Sequence, residues 1–265
     1  MVDPRQLAER LGAAWQVQTH GEIDSTQTAM RTWLLQDTAA DWRLLTAKHQ
    51  TAGRGRSGAQ WLDHPGQALL MTLAGPVALA AELWPRLSLL AGLAALEYLS
   101  AHASMQGVRL QLKWPNDLMV PTDRGLRKCA GILTERVEVP GHGARWLCGI
   151  GVDLGGPLPA ELSGIAVPLQ QVAKGPLPEP SALAAGLAEA IRSEVQSFDG
   201  ALPHERLQRR LAYLRQMVEL DMGPLQQARL FRLAGLAADG QLQGSWQDRP
   251  TEPVTVQPLA LRPLA

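Results

Sequence analysis

Gln50-Thr51-Ala52-Gly53-Arg54-Gly55-Arg56-Ser57-Gly58, continuing as Ala59-Gln60-Trp61-Leu62-Asp63-His64-Pro65-Gly66, is the stretch on which the fold assignment turns. Its glycines match G-x-G-x-x-G, and it follows a predicted strand at 44–47. A dinucleotide fingerprint would need a helix opening at the third glycine and an acidic residue about 20 positions on. Here the residues after Gly58 break a helix, and no such acid stands at the required place. A P-loop also fails, because no Lys-Ser/Thr follows the glycines. The loop still has phosphate chemistry. Glycines let backbone N–H groups approach an anion closely, and Arg54 and Arg56 add permanently charged forked donors. A basic surface loop is the plainer reading of the same residues.

Outward from this loop, strands come in clusters rather than in alternation with helices, which favours α+β over a doubly wound sheet. Residues 44–47 and 68–74 read as buried strands, the second closed by Gly75-Pro76. A long apolar helix fits 83–101 with Pro85 near its start, and 109–113 alternates as a strand. Residues 130–139 and 145–152 read as a hairpin around Pro140-Gly141-His142-Gly143, and 155–180 as loop. The spacing predicts a helix from a Ser181 N-cap with Leu183, Leu187, Ile191 and Val195 buried. A second helix over 204–219 would bury Leu207, Leu211, Leu214 and Val218. Beyond Met222-Gly223-Pro224 lie short β-like pieces at 228–234, 241–246 and 253–257, with an Asp239-Gly240 turn. The expected division is a catalytic domain over 1–220 and a small β module over 221–265.

The bulk composition bounds the function. Lys+Arg and Asp+Glu are 25 each among 265 residues, and 46% of residues are hydrophobic. A neutral balance argues against dedicated binding of bulk nucleic acid. The polar start Met1-Val2-Asp3-Pro4-Arg5 lacks a signal-peptide core, and Glu82 and Glu97 interrupt the apolar runs. A cytoplasmic protein with no membrane span is expected. Cys129 and Cys148, outside any CxxC pair and in apolar stretches, read as reduced buried thiols.

A second motif is Lys113-Trp114-Pro115-Asn116-Asp117, which ends a strand. Such an edge presents polar groups where ligands bind: a lysine can neutralise phosphate, and a carboxylate can hold Mg²⁺ or accept a proton. A plain strand-ending turn is the alternative. Three further segments fall into order with it: Asp24-Ser25-Thr26-Gln27, Lys128-Cys129-Ala130-Gly131-Ile132-Leu133-Thr134-Glu135, and Gly149-Ile150-Gly151-Val152-Asp153.

Taken with the glycine-arginine loop, this series resembles the bacterial biotin–protein ligases, over about residues 20–170 and more loosely through the tail. The resemblance implies a mixed sheet with helices, related to class II aminoacyl-tRNA synthetases, plus a C-terminal SH3-like β barrel. It implies ATP and biotin as substrates with Mg²⁺, biotinyl-5′-AMP as intermediate, and a lysine of the biotin carboxyl carrier protein of acetyl-CoA carboxylase as acceptor. About twenty residues precede the Asp-Ser-Thr segment, too few for a DNA-binding domain. A ligase-only type that does not bind DNA, monomeric or homodimeric, is therefore expected.

Carried onto this chain, Ser25, Thr26, Gln50, Gly53, Arg54, Gly55, Arg56, Lys128 and Gly131 would hold biotin. Arg56, Trp61, Lys113, Asn116, Asp117, Ile132 and Asp153 would face the nucleotide. Arg54, Arg56, Lys113, Asp117 and Lys128 would carry the chemistry. The arginines are assigned to phosphates and loop ordering, Lys113 to the α-phosphate, and Lys128 to the biotin carboxylate and forming acyl-phosphate. Asp117 is a candidate for positioning Mg²⁺ or for deprotonating the incoming lysine. Ser25 and Thr26 can also cap a helix, and Trp61 and Trp114 also read as packing residues. Two departures stand out. Gln27 and Asp153 occupy positions where the family often has Asn, and an aspartate near phosphates is repulsive unless a metal intervenes. No aromatic shelf is evident around Gly164-Ile165-Ala166, so adenine is expected to rest on aliphatic packing.

Overall fold

The computed structural model describes residues 2–37, 42–77, 79–223 and 226–264; Met1 and Pro224, which figure in the sequence reading, lie outside them. In chain order the elements begin with α1 (Pro4–Leu11), β1 (Trp15–Ile23), α2 (Thr26–Gln36), β2 (Trp42–Gln50), β3 (Gly53–Arg54), β4 (Gln60–Trp61) and β5 (Ala68–Pro76). They continue with α3 (Leu87–Ala101), β6 (Gln111–Lys113), β7 (Asp117–Thr122), β8 (Gly125–Val139), β9 (Gly143–Asp153), α4 (Leu169–Val172), α5 (Pro180–Gln196) and α6 (His204–Arg210). The chain ends with β10 (Met217–Asp221), β11 (Arg229–Leu236), β12 (Leu242–Trp246), β13 (Arg249–Val256) and β14 (Ala260–Pro263).

A seven-stranded sheet in the order β1-β2-β5-β9-β8-β7-β6 forms the body, and a five-stranded sheet in the order β13-β12-β11-β10-β14 forms the C-terminal module. In the large sheet β1 and β2 run parallel and the other pairs antiparallel, which makes it mixed as expected. The small sheet is antiparallel throughout. No helix of the described residues is long and apolar enough to cross a membrane.

Helices cover both faces of the large sheet. On one face α1, α3 and α5 build the main core; α3 buries Leu87, the run Leu89–Leu96 and Leu99, and leaves Ser88, Glu97 and Tyr98 partly exposed. On the other face α2 stands on a smaller core of Met30, Leu34, Leu45, Ala74, Val137, Val139 and Leu147. The strands alternate accordingly. On β9, Cys148, Ile150 and Val152 enter the main core, whereas Leu147, Gly149, Gly151 and Asp153 face the α2 side. That second row runs from apolar under α2, through two glycines, to an acid, and the change marks where the helix stops covering the sheet. Cys129 and Cys148 are free and buried, and burial pushes both thiols well above their usual range.

Several expectations are corrected. The helix predicted over 204–219 ends at Arg210: Leu211 bridges to Leu112, Tyr213 (φ 60°) and Arg215 (φ 64°) turn left-handed, and β10 starts at Met217. Leu211 and Val218 are still buried, so the four-residue spacing tracked burial while mistaking its geometry. The helix predicted from 83 begins at Leu87, after a 3₁₀ turn over Ala81–Arg86 that contains Pro85. Ser181 is not an N-cap: α5 starts at Pro180, and the buried Ser181 Oγ accepts the Asp3 N–H at 2.9 Å. The strand placed at 109–113 is confined to Gln111–Lys113, and 155–180 contains α4 and a 3₁₀ turn at Ala160–Leu162.

The small core under α2 yields a contrast of neighbours. Leu34 is 2% exposed and Leu35 51%. Leu34→Ala should lower the unfolding free energy by about 2–5 kcal/mol, and Leu35→Ala by no more than about 0.5 kcal/mol. Urea titration of both variants checks this; equal effects would contradict the assigned orientation of α2.

Candidate active site

The glycine-arginine loop is a small hairpin. β3 pairs with β4, Gly55 N–H donates to Ala59 O (2.7 Å), and Ala59 N–H donates to Arg56 O (2.9 Å). Its tip runs through left-handed backbone at Ser57 (φ 52°) and Gly58 (φ 79°), so no helix follows the glycines. The hairpin lies on the α2 face against the two strands that leave room for it. Gly131 of β8 and Gly151 of β9 are direct cross-strand partners. A Cβ on Gly151 would stand 2.4 Å from the Trp61 ring, and one on Gly131 3.0 Å from it. The absent side chains are therefore the seat of Trp61, whose Nε1 is buried there without a hydrogen-bond partner. Gly53 closes the other side, where a Cβ would meet Trp61 O at 2.5 Å and Gln50 Nε2 at 3.0 Å.

Two clefts adjoin at Trp61. The first, with about 940 Å³ of open space, is lined among others by Ser25, Thr26, Gln50, Arg54, Gly55, Arg56, Asn116, Gly131 and Ile132. The second, about 1100 Å³, is lined by Lys113 and Asp153 together with Met119, Leu162, Ile165 and Tyr213. Trp61, Asp117 and Lys128 line both. The residues singled out in the sequence thus come together, but not as two separate sets. Arg56, Asn116 and Ile132, expected on the nucleotide side, border the first cleft, and Gly53 lies behind the wall. Sequence reading missed Tyr213, which sits inside the predicted second helix, and Leu259 of the C-terminal module, which borders the first cleft. Neither carries a local signal.

Buried amides and hydroxyls fix the inner end of the first cleft. Ser25 caps α2, its Oγ accepting from Gln27 N–H at 3.2 Å, so its capping role holds. Gln50 Oε1 accepts from both Thr26 N–H (2.7 Å) and Thr26 Oγ1 (3.0 Å). Thr72 Oγ1 lies within hydrogen-bond distance of Thr26 Oγ1 (2.9 Å) and Gln27 Oε1 (3.1 Å), and Gln27 Nε2 donates to Leu133 O (3.2 Å). With their partners supplied by the protein, these groups hold one geometry, which a polar ligand head must match.

The charged end is organised around Asp117. Its carboxylate takes Lys128 Nζ at 2.6 Å and Lys113 Nζ at 3.6 Å. Lys128 also lies over the Trp61 ring, 5.4 Å from the centroid. Arg54 points outward to Glu135 (2.8 Å), which Arg31 also approaches (3.4 Å). Both loop arginines line the first cleft, and burial lowers the Arg56 guanidinium, with Asp117 opposing. Trp114 packs in the core and donates its Nε1–H to Gly240 O at 3.0 Å. Asp117 is the residue that the resemblance offers to Mg²⁺. Asp117 is engaged by two ammonium groups, and no group of three or more His, Cys, Asp or Glu side chains that could hold a metal occurs among the described residues.

Asp153 is 3% exposed. Burial pushes its carboxyl from the usual 3.8 up to about 7; Lys128 pulls against the rise and Asp63 adds to it. A carboxyl raised in this way brings less negative charge toward a phosphate than an ordinary aspartate would. Because the folded pKa lies above the unfolded one, the cost of ionising Asp153 is absent below about pH 4, grows toward pH 7 and is constant above. Asp153→Asn should therefore raise Tm at about pH 8 and change it little at about pH 4. Calorimetry at both values tests this, and equal shifts at the two would contradict it.

Comparison with known proteins fits this geometry. A model of the biotin/lipoate A/B protein ligase family matches residues 21–153, half of the chain and all of its large-sheet site segments. The chain is similar to the bifunctional ligase/repressor BirA of Bacillus subtilis, 31% identical over 58% of this chain and 46% of that protein. It is also similar to the biotin–[acetyl-CoA-carboxylase] ligase of Mycobacterium tuberculosis, 33% identical over 51% of each chain. The chain spans about half the length of the curated relatives it matches. In fold it is similar to the biotin protein ligase from Aquifex aeolicus, solved in complex with biotin and ATP: TM-score 0.73, 21% identity, covering 93% of this chain and 97% of that one. On the half of its length that carries the paired glycines, the α2 cap and the Lys-Trp-Pro-Asn-Asp edge, the chain belongs to the biotin/lipoate A/B protein ligase family.

Proposed function

We propose that the protein is an ATP-dependent biotin–protein ligase, forming biotinyl-5′-AMP and passing biotin to a lysine of the carrier domain of acetyl-CoA carboxylase. The observation that carries this reading is the junction of the two clefts at Asp117, Lys128 and Trp61. One cleft ends in fixed amide and hydroxyl groups suited to a ureido ring. The other has an apolar wall and a lysine-bearing floor suited to a nucleotide. An acid in the first and a triphosphate in the second would bring carboxylate and α-phosphate together at the ammonium groups.

In the first half-reaction a biotin carboxylate oxygen attacks the α-phosphorus. The bond from that phosphorus to the bridging oxygen of pyrophosphate breaks, and pyrophosphate leaves. Lys128 holds the carboxylate, Lys113 and Arg56 stabilise charge on the phosphoryl oxygens, and Asp117 holds both lysines in place. Mg²⁺ bound to ATP as part of the substrate would supply further neutralisation of phosphate charge. Arg54, paired to Glu135, anchors the hairpin, and Arg56 is its phosphate-facing member. The closed hairpin keeps water from the mixed anhydride. In the second half-reaction the lysine ε-nitrogen attacks the acyl carbon, the bond from acyl carbon to AMP oxygen breaks, AMP leaves, and the amine loses a proton. The members named after biotin–[acetyl-CoA-carboxylase] ligation support this acceptor.

ATP–pyrophosphate exchange, run with biotin, with lipoate, with octanoate and with no acid, tests the reading. Exchange should require biotin and fall at least about a hundredfold in Lys113→Ala. Exchange driven only by lipoate or octanoate would move the chain to the other branch of its family. No exchange with any acid would overturn the reading.

A further inference from the structure

We infer that Asp63, clasped by His49, is a positioning residue for the first cleft. It holds the end of β2 so that the Gln50 amide keeps the orientation in which its Nε2 amino group is offered to a ligand. The inference rests on the reading of that cleft as the biotin site.

Asp63 stands just after the hairpin, in the turn Asp63-His64-Pro65-Gly66, and its side chain is 0% exposed. A carboxylate taken wholly out of water is costly unless its oxygens are bonded. Both oxygens of Asp63 turn to the end of one strand. Oδ2 lies 2.9 Å from His49 Nδ1, and Oδ1 accepts the Gln50 N–H at 3.4 Å. The His49 side chain is 23% exposed, so the imidazole is the outward member of the pair. Main-chain bonds hold the turn that carries the acid. Gly66 N–H donates to Lys48 O (3.0 Å) and Gln67 N–H to His64 O (3.0 Å). Gln67 O accepts from Leu154 N–H (3.0 Å) and Gly155 N–H (3.2 Å), the two residues after Asp153. Asp63 is thus fixed between the end of β2 and the end of β9. Those main-chain bonds hold the turn without the carboxylate, which serves the strand end it grips.

Gln50 carries this grip into the cleft that it lines. Its Oε1 is taken twice by Thr26, at 2.7 and 3.0 Å, which leaves Nε2 as the end of the amide with donors to offer. A Cβ on Gly53 would come within 3.0 Å of that nitrogen, so the bare glycine makes its room. The last torsion of a glutamine is broad and close to two-fold, and a half-turn would present an acceptor in place of a donor. Thr26 fixes the choice at the tip of the side chain. Asp63 fixes it at the backbone from which the side chain hangs, and a ligand carbonyl then meets a donor already aimed.

Titration calorimetry of biotin, and separately of ATP, into the full chain tests this with Asp63→Ala, Asp63→Asn and Gln50→Ala. Asparagine keeps both bonds, its Oδ1 accepting from Gln50 and its Nδ2 donating to a neutral imidazole. Both Asp63 variants remove the charge that acts on Asp153, so the difference between them reads the bonds alone. The expected result is biotin affinity about tenfold weaker in Asp63→Ala, restored in Asp63→Asn, with the same ATP affinity in the two variants. In a Gln50→Ala background the loss caused by Asp63→Ala should vanish, which a general loosening of the fold would not produce. Wild-type biotin affinity in Asp63→Ala would overturn the inference. So would an equal loss of ATP affinity, an Asp63→Asn as weak as the alanine variant, or an undiminished loss in the Gln50→Ala background. If Asp63→Ala does not fold, His49→Ala removes the clasp from its outward side and is held to the same biotin, ATP and double-variant results. A wild type that binds biotin but shows no biotin-dependent exchange would defeat the ligase reading alone, leaving Asp63 to be judged on binding. A wild type that binds no biotin would overturn both.

Discussion

The contact on which the site depends is that of the Trp61 ring with the paired glycines Gly131 and Gly151. Two adjacent strands of a buried sheet each omit a side chain at the same level, and a large flat ring fills the space. From this one packing choice much follows. The ring borders both clefts, carries Lys128 above its face, and holds down the hairpin that bears Arg54 and Arg56. A side chain at either glycine would lift the hairpin and move the lysine together.

Around that seat the charges are arranged so that few act alone. Asp117 joins Lys113 and Lys128, which come from different strands, and Glu135 joins Arg54 and Arg31. Arg56 stands in a partly buried setting where a guanidinium is costly without an anion. A site with cations held ready and one of them poorly compensated favours a multiply charged substrate over a neutral one. At the other end, polar groups satisfied by Thr26, Gln27, Gln50 and Thr72 have no such charge, and suit a neutral polar head.

How far this was legible in the sequence depends on how local each signal is. Gly53 to Gly58, Lys113 to Asp117, and Gly149 to Asp153 are contiguous, and the second and third lie at the strand end and in the strand that were expected, whereas the first, expected as a loop, is the turn of a small hairpin. The α+β character followed from clustered strands and their turn residues, while the mixed sheet was expected from the family resemblance. What failed was non-local. Helical spacing at Leu207, Leu211, Leu214 and Val218 reported burial, but bonds to Leu112 and Leu233 broke the helix into a left-handed turn. The partners of Arg54 and Asp117 could not be ordered, because Glu135 and Lys128 reach them only through strand register. Asp153 looked like a fixed charge, and burial raises its pKa, which its sequence neighbours do not signal.

The account stands or falls on an acyl-adenylate held where the two clefts meet. The most direct measurement is to incubate the protein with radiolabelled biotin and ATP, remove free ligand rapidly, and identify what remains bound before and after adding a biotin carboxyl carrier domain. The account predicts protein-bound biotinyl-5′-AMP close to one per site, discharged by the carrier domain into acid-stable biotin on lysine with release of AMP. Bound biotin with no adenylate, in the presence of ATP, would contradict it.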